Sequence, residues 1–165
     1  MAKWQNFSIW RGRLPHWRAD HVRYYLTFRH KRDLNDSEMN ILLQRLMRAQ
    51  RRKLDYHILV VRPEATEMIF TVEMDSDGNA YELSDIIEKA KRKAGQMMIK
   101  KSGERWPPLY GESFDRIIRD EEEYEATWQS ILSSPVDAEL VEDPSDWFYL
   151  FVPDAPDIPH PLQSS

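Results

Sequence analysis

The sequence of 165 residues contains no cysteine. A chain without cysteine forms no disulfide, offers no thiolate to a metal and has no cysteine nucleophile, so three classes of site are excluded. It also has no uninterrupted apolar stretch near the roughly 18 residues that a membrane span requires, and residues 1–13 have no signal-peptide core. We therefore expect a soluble protein of a reducing compartment, the cytoplasm.

Positive charge is scarce in the last third of the chain. Residues 112–165 contain 2 Lys and Arg against 14 Asp and Glu, a local charge of −12, whereas residues 1–111 contain 21 against 14, a local charge of +7. Together they give the net charge of −5. Such asymmetry is typical of a nucleic-acid surface joined to an acidic segment, although solvated faces without a partner also produce it.

The length predicts one domain with a core of its own. We assign residues 1–152 to this domain, which includes a basic N-terminal arm. Residues 153–165 are rich in proline, and we expect them to form a disordered tail. Hydrophobic periodicity and turn residues predict four strands and three helices. The strands lie at 21–29, 56–61, 68–72 and 112–119, and the helices lie at 35–53, from 83 onwards, and from 120 to just before Pro135.

This order of strand, helix, two strands, helix, strand and helix predicts an α+β fold. It is close to the ferredoxin-like arrangement, an antiparallel sheet with helices packed on it. The first helix opens with a capping box, in which Asn35 is the N-cap and Glu38 stands at the third helical position. Its C-terminal end is basic, which suits the negative end of a helix dipole.

Several strings along the chain resemble, in order, those of one family. They are Arg13-Leu14-Pro15-His16-Trp17, Leu26-Thr27-Phe28-Arg29, Val60-Val61-Arg62-Pro63, Phe114 to Glu122, and Ile131 to Val141. The family is that of the transposases associated with repetitive extragenic palindromes (REP), which are relatives of the single-tyrosine insertion-sequence transposases in the HUH endonuclease superfamily. The resemblance implies a small ferredoxin-like domain, often dimeric, that recognises DNA hairpins. It also implies cleavage of single strands through a covalent phosphotyrosine, with Mg²⁺ or Mn²⁺.

The residues that this chemistry requires are replaced. The family has Pro-Asn-His-hydrophobic-His on a strand, and the resemblance places Ala65 and Glu67 at the two histidine positions. It places Ser130 at the nucleophilic tyrosine and Ser134 at the polar residue one turn later, which can supply a third metal ligand. We therefore predict that no catalytic residue is intact, that no metal is bound and that no cofactor is needed.

Other residues were considered as substitutes. Tyr124 lies six residues before Ser130, which places it roughly 240° around a helix axis, on another face. A serine nucleophile requires an activating base, and no histidine is near Ser130 in sequence. His57 is adjacent to an apolar run, where packing is the more common role. A residual nuclease with Glu64, Glu67 and Asp115 around a metal stays open as an alternative.

We predict binding of hairpin or single-stranded DNA without cleavage. Basic residues that contact phosphates and aromatic rings that stack on bases require none of the lost groups. The predicted DNA-binding residues are Arg11, Arg13, His16, Trp17, Arg18, Arg23, Lys91, Arg92, Lys100 and Lys101. The alternative is a protein-interaction module, which binds a partner or a second copy through the acidic third helix and the segment from Asp143 to Asp157. Both a monomer and a homodimer remain open.

Overall fold

A computed structural model describes residues 22–50, 52–72 and 83–153. Their elements follow the order β1 (Arg23–Arg29), α1 (Asp36–Met47), β2 (Leu54–Val61), β3 (Ala65–Val72), α2 (Leu83–Ser102), β4 (Phe114–Ile117), α3 (Glu121–Asp137) and β5 (Leu150–Phe151), with a 3-10 turn at Pro144–Asp146. The predicted order is confirmed. Strand β5 was not predicted, because a strand of two residues is too short to show alternation. The predicted arm and nearly all of the predicted tail lie outside the described residues.

The strands form one five-stranded sheet in the order β4-β1-β3-β2-β5. All four neighbouring pairs are antiparallel. The predicted α+β class and ferredoxin-like antiparallel sheet are therefore confirmed. The connection between β2 and β3 is shorter than predicted, because β3 begins at Ala65, and the Arg62 amide donates to the Ala65 carbonyl at 2.9 Å. Ala65 and Glu67 consequently lie on a strand, where alternation directs both toward one face.

Helices α1 and α2 cover one face of the sheet. The capping box of α1 is present, since Asn35 Oδ1 accepts from the Glu38 amide at 2.9 Å and Glu38 Oε1 accepts from the Asn35 amide at 3.0 Å. Leu42, Leu43 and Leu46 of α1 are fully buried against the sheet and α2. This first core fixes the orientation of the two helices over the strands.

Helix α3 covers the opposite face with a second, smaller core. Its apolar residues Tyr124, Trp128 and Ile131 recur at helical spacing and are buried with Ile58, Val60 and Ile69 of β2 and β3. The helix continues through Pro135 to Asp137, whereas the sequence predicted that it ends before the proline. Proline cannot donate to the carbonyl of residue 131, but the Ser134 hydroxyl donates to that oxygen at 2.7 Å. The substitute hydrogen bond explains why the helix tolerates Pro135.

Among the described helices, none is both long enough and apolar enough to cross a membrane.

Candidate functional site

The carboxylate of Glu67 is fully engaged by neighbouring side chains. Its Oε1 accepts from Arg62 Nη1 at 2.8 Å, and its Oε2 accepts from the Tyr25 hydroxyl at 3.0 Å. Arg62 also donates through Nε to Glu64 Oε2 at 2.6 Å. The Arg62 side chain is only 10% exposed. At the start of β3, this one guanidinium therefore binds two carboxylates in a largely buried position.

The contacts continue from β3 across β1 and β4 to α3. The guanidinium of Arg116 lies 4.9 Å from the centre of the Tyr25 ring. Arg116 also forms an ion pair with Glu123, and its Nη2 is 3.4 Å from Thr127 Oγ1. We call the residues Tyr25, Arg62, Glu64, Glu67 and Arg116 the Arg62 cluster. Sequence reasoning did not find Tyr25, Arg62 or Arg116 as site residues, because their contacts depend on the pairing of strands far apart in sequence.

Ser130 and Ser134, which the family resemblance places at the tyrosine and third-ligand positions, lie on α3. Thr127, Ser130 and Ser134 recur at helical spacing, so the serines extend the side of α3 that contacts Arg116. Ser130 is exposed, and the Ser134 hydroxyl donates to a carbonyl of its own helix. Tyr124 is buried, which confirms that it faces away from Ser130.

Both histidines in the described ranges are held away from Ser130. His30 is buried, with Nδ1 2.7 Å from the Pro63 carbonyl and Nε2 2.9 Å from Thr66 Oγ1. A carbonyl only accepts, so Nδ1 carries the proton and the neutral ring accepts from the threonine. His57 is partly buried, and its Nδ1 lies 2.8 Å from the Tyr124 hydroxyl. Neither ring is placed to activate a serine.

Tyr25 contacts Glu67, which the family resemblance places at a metal-ligand position, and the surroundings of this tyrosine oppose attack on a phosphate. Burial and the negative charge of Glu67 raise the pKa of Tyr25 to about 12. A nucleophilic hydroxyl needs a base or a lowered pKa. Because the phenol donates to Glu67 and ionises less readily than usual, Tyr25 is a structural hydrogen-bond donor.

The residues present do not fit the divalent cation that the family resemblance implies. Ala65 has no side-chain ligand atom, and the guanidinium of Arg62 already pairs with both Glu67 and Glu64. Asp115 pairs with Leu26, a residue of the first core, so alternation directs its side chain to the α1–α2 face, opposite Glu67. Within the described ranges, no three His, Cys, Asp or Glu side chains gather to hold a metal. The fold therefore places Asp115 on the face opposite Glu67, whereas the residual-nuclease hypothesis requires both carboxylates around one metal.

His57 is a partly buried packing residue that contacts α3, as its apolar neighbours in the sequence predicted. It lies at the irregular pairing of β2 between Tyr56 and Ile58, and its carbonyl accepts from the Trp128 indole at 3.4 Å. Burial and the nearby Arg23 guanidinium lower the pKa of His57 to about 3. The ring is therefore neutral in the folded protein throughout the physiological range.

We expect this shift to make stability depend on pH. The unfolded chain takes up a proton at His57 near pH 6.5, whereas the folded chain does so near pH 3, so the contribution is complete above pH 6.5 and decreases between these values. The stability advantage of the wild type over a His57→Asn variant should fall by about 1.4 kcal/mol for each pH unit below 6.5. Urea unfolding of both proteins at pH 7.5, 6, 5 and 4 measures it, and a constant difference would contradict the assignment.

Two of the predicted DNA-binding residues differ from the expectation of exposed cations. Arg23 is buried, lies 4.6 Å from the centre of the Tyr124 ring and pairs with Glu121 at 3.1 Å. Lys91 is also buried, and its ammonium donates to the Glu112 carbonyl and the Ser113 hydroxyl, each at 3.0 Å. Both side chains face inward, where they pack against aromatic rings. The sequence did not predict this, because the partial alternation of β1 and the apolar stripe of α2 do not reveal which cations are buried.

The remaining predicted residues divide into two groups. Arg92, Lys100 and Lys101 of α2 are exposed, and the Lys101 ammonium donates to Ser37 Oγ at 2.9 Å. The five arm residues, Arg11, Arg13, His16, Trp17 and Arg18, lie outside the described residues. Their role in DNA binding stays a prediction.

No family model matches the sequence, and no curated protein matches it. Among solved structures, a REP-associated tyrosine transposase bound to a REP hairpin is similar at 18% identity, with a TM-score of 0.61. The match covers 78% of this chain and 75% of that chain. A candidate transposase from Deinococcus radiodurans matches 69% of this chain and 90% of that chain at 14% identity, with a TM-score of 0.47.

The first of these structures shares the topology of the described residues. The chain has the fold of the single-tyrosine transposases.

Proposed function

We propose that this protein binds hairpin or single-stranded DNA and does not cut it. The Arg62 cluster carries the proposal, because a guanidinium occupies the surroundings of Glu67, where the family resemblance implies a metal ligand. An arginine there supplies a fixed positive charge but offers no open coordination position for a phosphate oxygen and a water. We further propose a cytoplasmic location, with a monomer or a homodimer as the functional unit.

The fold and the charge distribution support DNA as the partner. The similar transposase was solved with a REP hairpin bound to it. In the present chain, residues 1–111 carry the positive charge, and exposed cations of α2 contribute to it. Phosphate contacts of this kind provide affinity without catalytic residues. We include the arm residues Arg11, Arg13, His16, Trp17 and Arg18 in the proposed DNA-binding surface.

Two separate losses oppose cleavage, and the neighbouring tyrosine does not compensate for them. The metal ligands are reduced to Glu67, whose two oxygens are occupied. The position of the nucleophile is Ser130, and the two described histidines contact other groups. Tyr25, which is adjacent, has a raised pKa. Restoring the metal site or the nucleophile alone would leave the other missing.

The acidic end of the chain supports a protein partner less directly. Glu121 and Glu123 of α3 form ion pairs with Arg23 and Arg116, so part of the acidity stabilises the fold itself. The first-turn carboxylates also suit the positive end of the helix dipole. A protein-interaction module remains the second hypothesis, and absence of DNA binding would favour it.

The test is direct binding with inspection of the DNA. Purified protein is titrated into labelled hairpin and random single-stranded oligonucleotides across a salt series with Mg²⁺ or Mn²⁺, and the products are separated on a denaturing gel. We expect affinity that decreases steeply with salt, because counterions are released from the phosphates, and intact DNA in every lane. Cleaved products would contradict the loss of catalysis, and no binding at low salt would contradict the DNA-binding function.

A further inference from the structure

A groove runs between α1 and α2 on the face of the sheet opposite the Arg62 cluster. Its first part, a hollow of about 470 Å³, is lined at its base by the buried residues Ala49, Ile86 and Ala90. Ala49 and Ala90 have small side chains, and α1 ends at Met47, so the two helices leave an open channel there. A second hollow of about 650 Å³ continues along α2 past Lys100.

Cations line both sides of this α1–α2 groove. The first hollow is lined by Arg45, Arg48, Arg52, Lys53, Lys89 and Lys93. Arg45 and Lys93 also line the second hollow, so the two are continuous. Within the described part of the chain, Glu104 is the only acidic residue that lines either hollow, and it is paired with Arg32. The groove therefore concentrates positive potential between two low-dielectric walls.

The spacing of the lysines suits a regular polyanion. Lys89, Lys93 and Lys100 recur on one side of α2, and the eleven residue steps from the first to the last span roughly 16 Å of helix. Along the axis of a duplex, the phosphates of one strand advance by about 3.4 Å per nucleotide. The row is therefore long enough to contact several phosphates of one strand.

The chemistry of the lining favours a duplex over a single strand. Non-specific single-strand sites place aromatic rings beside the cations, because bases stack on them. Among the residues that the structure describes, no Phe, Tyr or Trp lines either hollow of the α1–α2 groove. Aliphatic and cationic side chains contact phosphates and sugars but offer no stacking platform. The groove can therefore hold a backbone without reading base sequence.

We propose that the α1–α2 groove binds the sugar-phosphate backbone of a DNA duplex, such as the stem of a hairpin. This inference rests on the proposed DNA-binding function and adds the site and the form of DNA. It places stem binding on the face opposite the Arg62 cluster, so that retention of this site is independent of the loss of the catalytic residues. The affinity of the groove depends on charge and salt and not on the sequence of the stem.

The test compares two charge-matched double variants by fluorescence anisotropy with a labelled hairpin across a salt series. Lys89→Gln/Lys93→Gln removes two groove cations, and Arg29→Gln/Arg119→Gln removes two exposed cations outside it. The groove variant should reduce the magnitude of the log–log salt slope by about 1.8, which corresponds to roughly 60-fold weaker binding at 0.1 M salt. The control variant should bind as the wild type does. A scrambled stem should behave as the original.

A second variant separates charge from fold. Lys89→Arg/Lys93→Arg keeps both charges and should retain the wild-type affinity, and thermal unfolding checks that all variants fold. Equal losses in the groove and control variants, or the same loss on an unstructured single strand as on the hairpin, would overturn the assignment of the groove while leaving DNA binding intact. A wild-type protein that binds no DNA would overturn both proposals.

Discussion

Replacing Trp128 with alanine is expected to lower the free energy of unfolding by about 3–5 kcal/mol. Trp128 is 4% exposed and lies in the second core, which attaches α3 to β2 and β3. Its indole also donates to the His57 carbonyl, so the truncation removes both packing and a hydrogen bond. Because this core contains few residues, little else is available to fill the cavity. Urea unfolding followed by circular dichroism measures the loss.

Trp106 supplies a matched control, since it is 67% exposed. Trp106→Ala should change stability by no more than about 0.5 kcal/mol, as is usual for surface positions. A loss below about 1 kcal/mol for Trp128→Ala would mean that α3 is not docked as described. It would also remove the basis for placing Ser130 near the Arg62 cluster.

The position of α3 illustrates what could be predicted from the sequence. The acidic first turn indicated a helix that begins near residue 120, and the orientation of Tyr124 away from Ser130 followed from helical geometry. Its extension through Pro135 was not predictable, because it depends on one hydroxyl that replaces a missing amide. Local chemistry can override a breaker residue when a neighbour satisfies the carbonyl.

The candidate site divides in the same way. A family motif fixes positions by spacing along the chain, so the resemblance alone assigns Ala65, Glu67, Ser130 and Ser134 to family positions. The partners of Glu67 could not be predicted in this way, since Tyr25 is 42 residues away and reaches it only through the β1–β3 register. The resemblance predicts which ligands are absent, whereas only the fold shows which contacts the remaining residues make.

Charge placement has the same limit. The excess of Lys and Arg in the first two thirds of the chain indicated a basic surface, but composition assigns no direction to an individual side chain. Arg23 and Lys91 are buried against Tyr124 and Phe28, where cation–π contacts offset part of the cost of burial. From the sequence, the C-terminal end of the first helix was only a basic helix end, although it contains the groove cations Arg45, Arg48, Arg52 and Lys53. Their grouping with α2 follows from helix packing across the first core.

Replacing Arg62 with methionine is expected to lower the free energy of unfolding by about 2–3 kcal/mol and to create a response to Mn²⁺. Methionine keeps most of the aliphatic volume but leaves Glu67 partly buried without its counter-ion, which is the costly way to break a pair. The cost stays below that of a fully buried pair because the Glu64 side chain is 50% exposed. The two released carboxylates are then available to a hard cation.

The measurement is the thermal midpoint of both proteins with and without Mn²⁺. A cation that binds only the folded state raises the midpoint, so the midpoint of Arg62→Met should rise with Mn²⁺ while that of the wild type stays constant. The control is Arg62→Met/Glu67→Gln, in which the neutral amide needs no counter-ion. It should regain part of the lost stability and respond less to Mn²⁺ than the single variant. If Mn²⁺ raised the midpoint of the wild type as much as that of Arg62→Met, the guanidinium would not exclude the metal. The proposed absence of cleavage would then rest on the missing nucleophile alone.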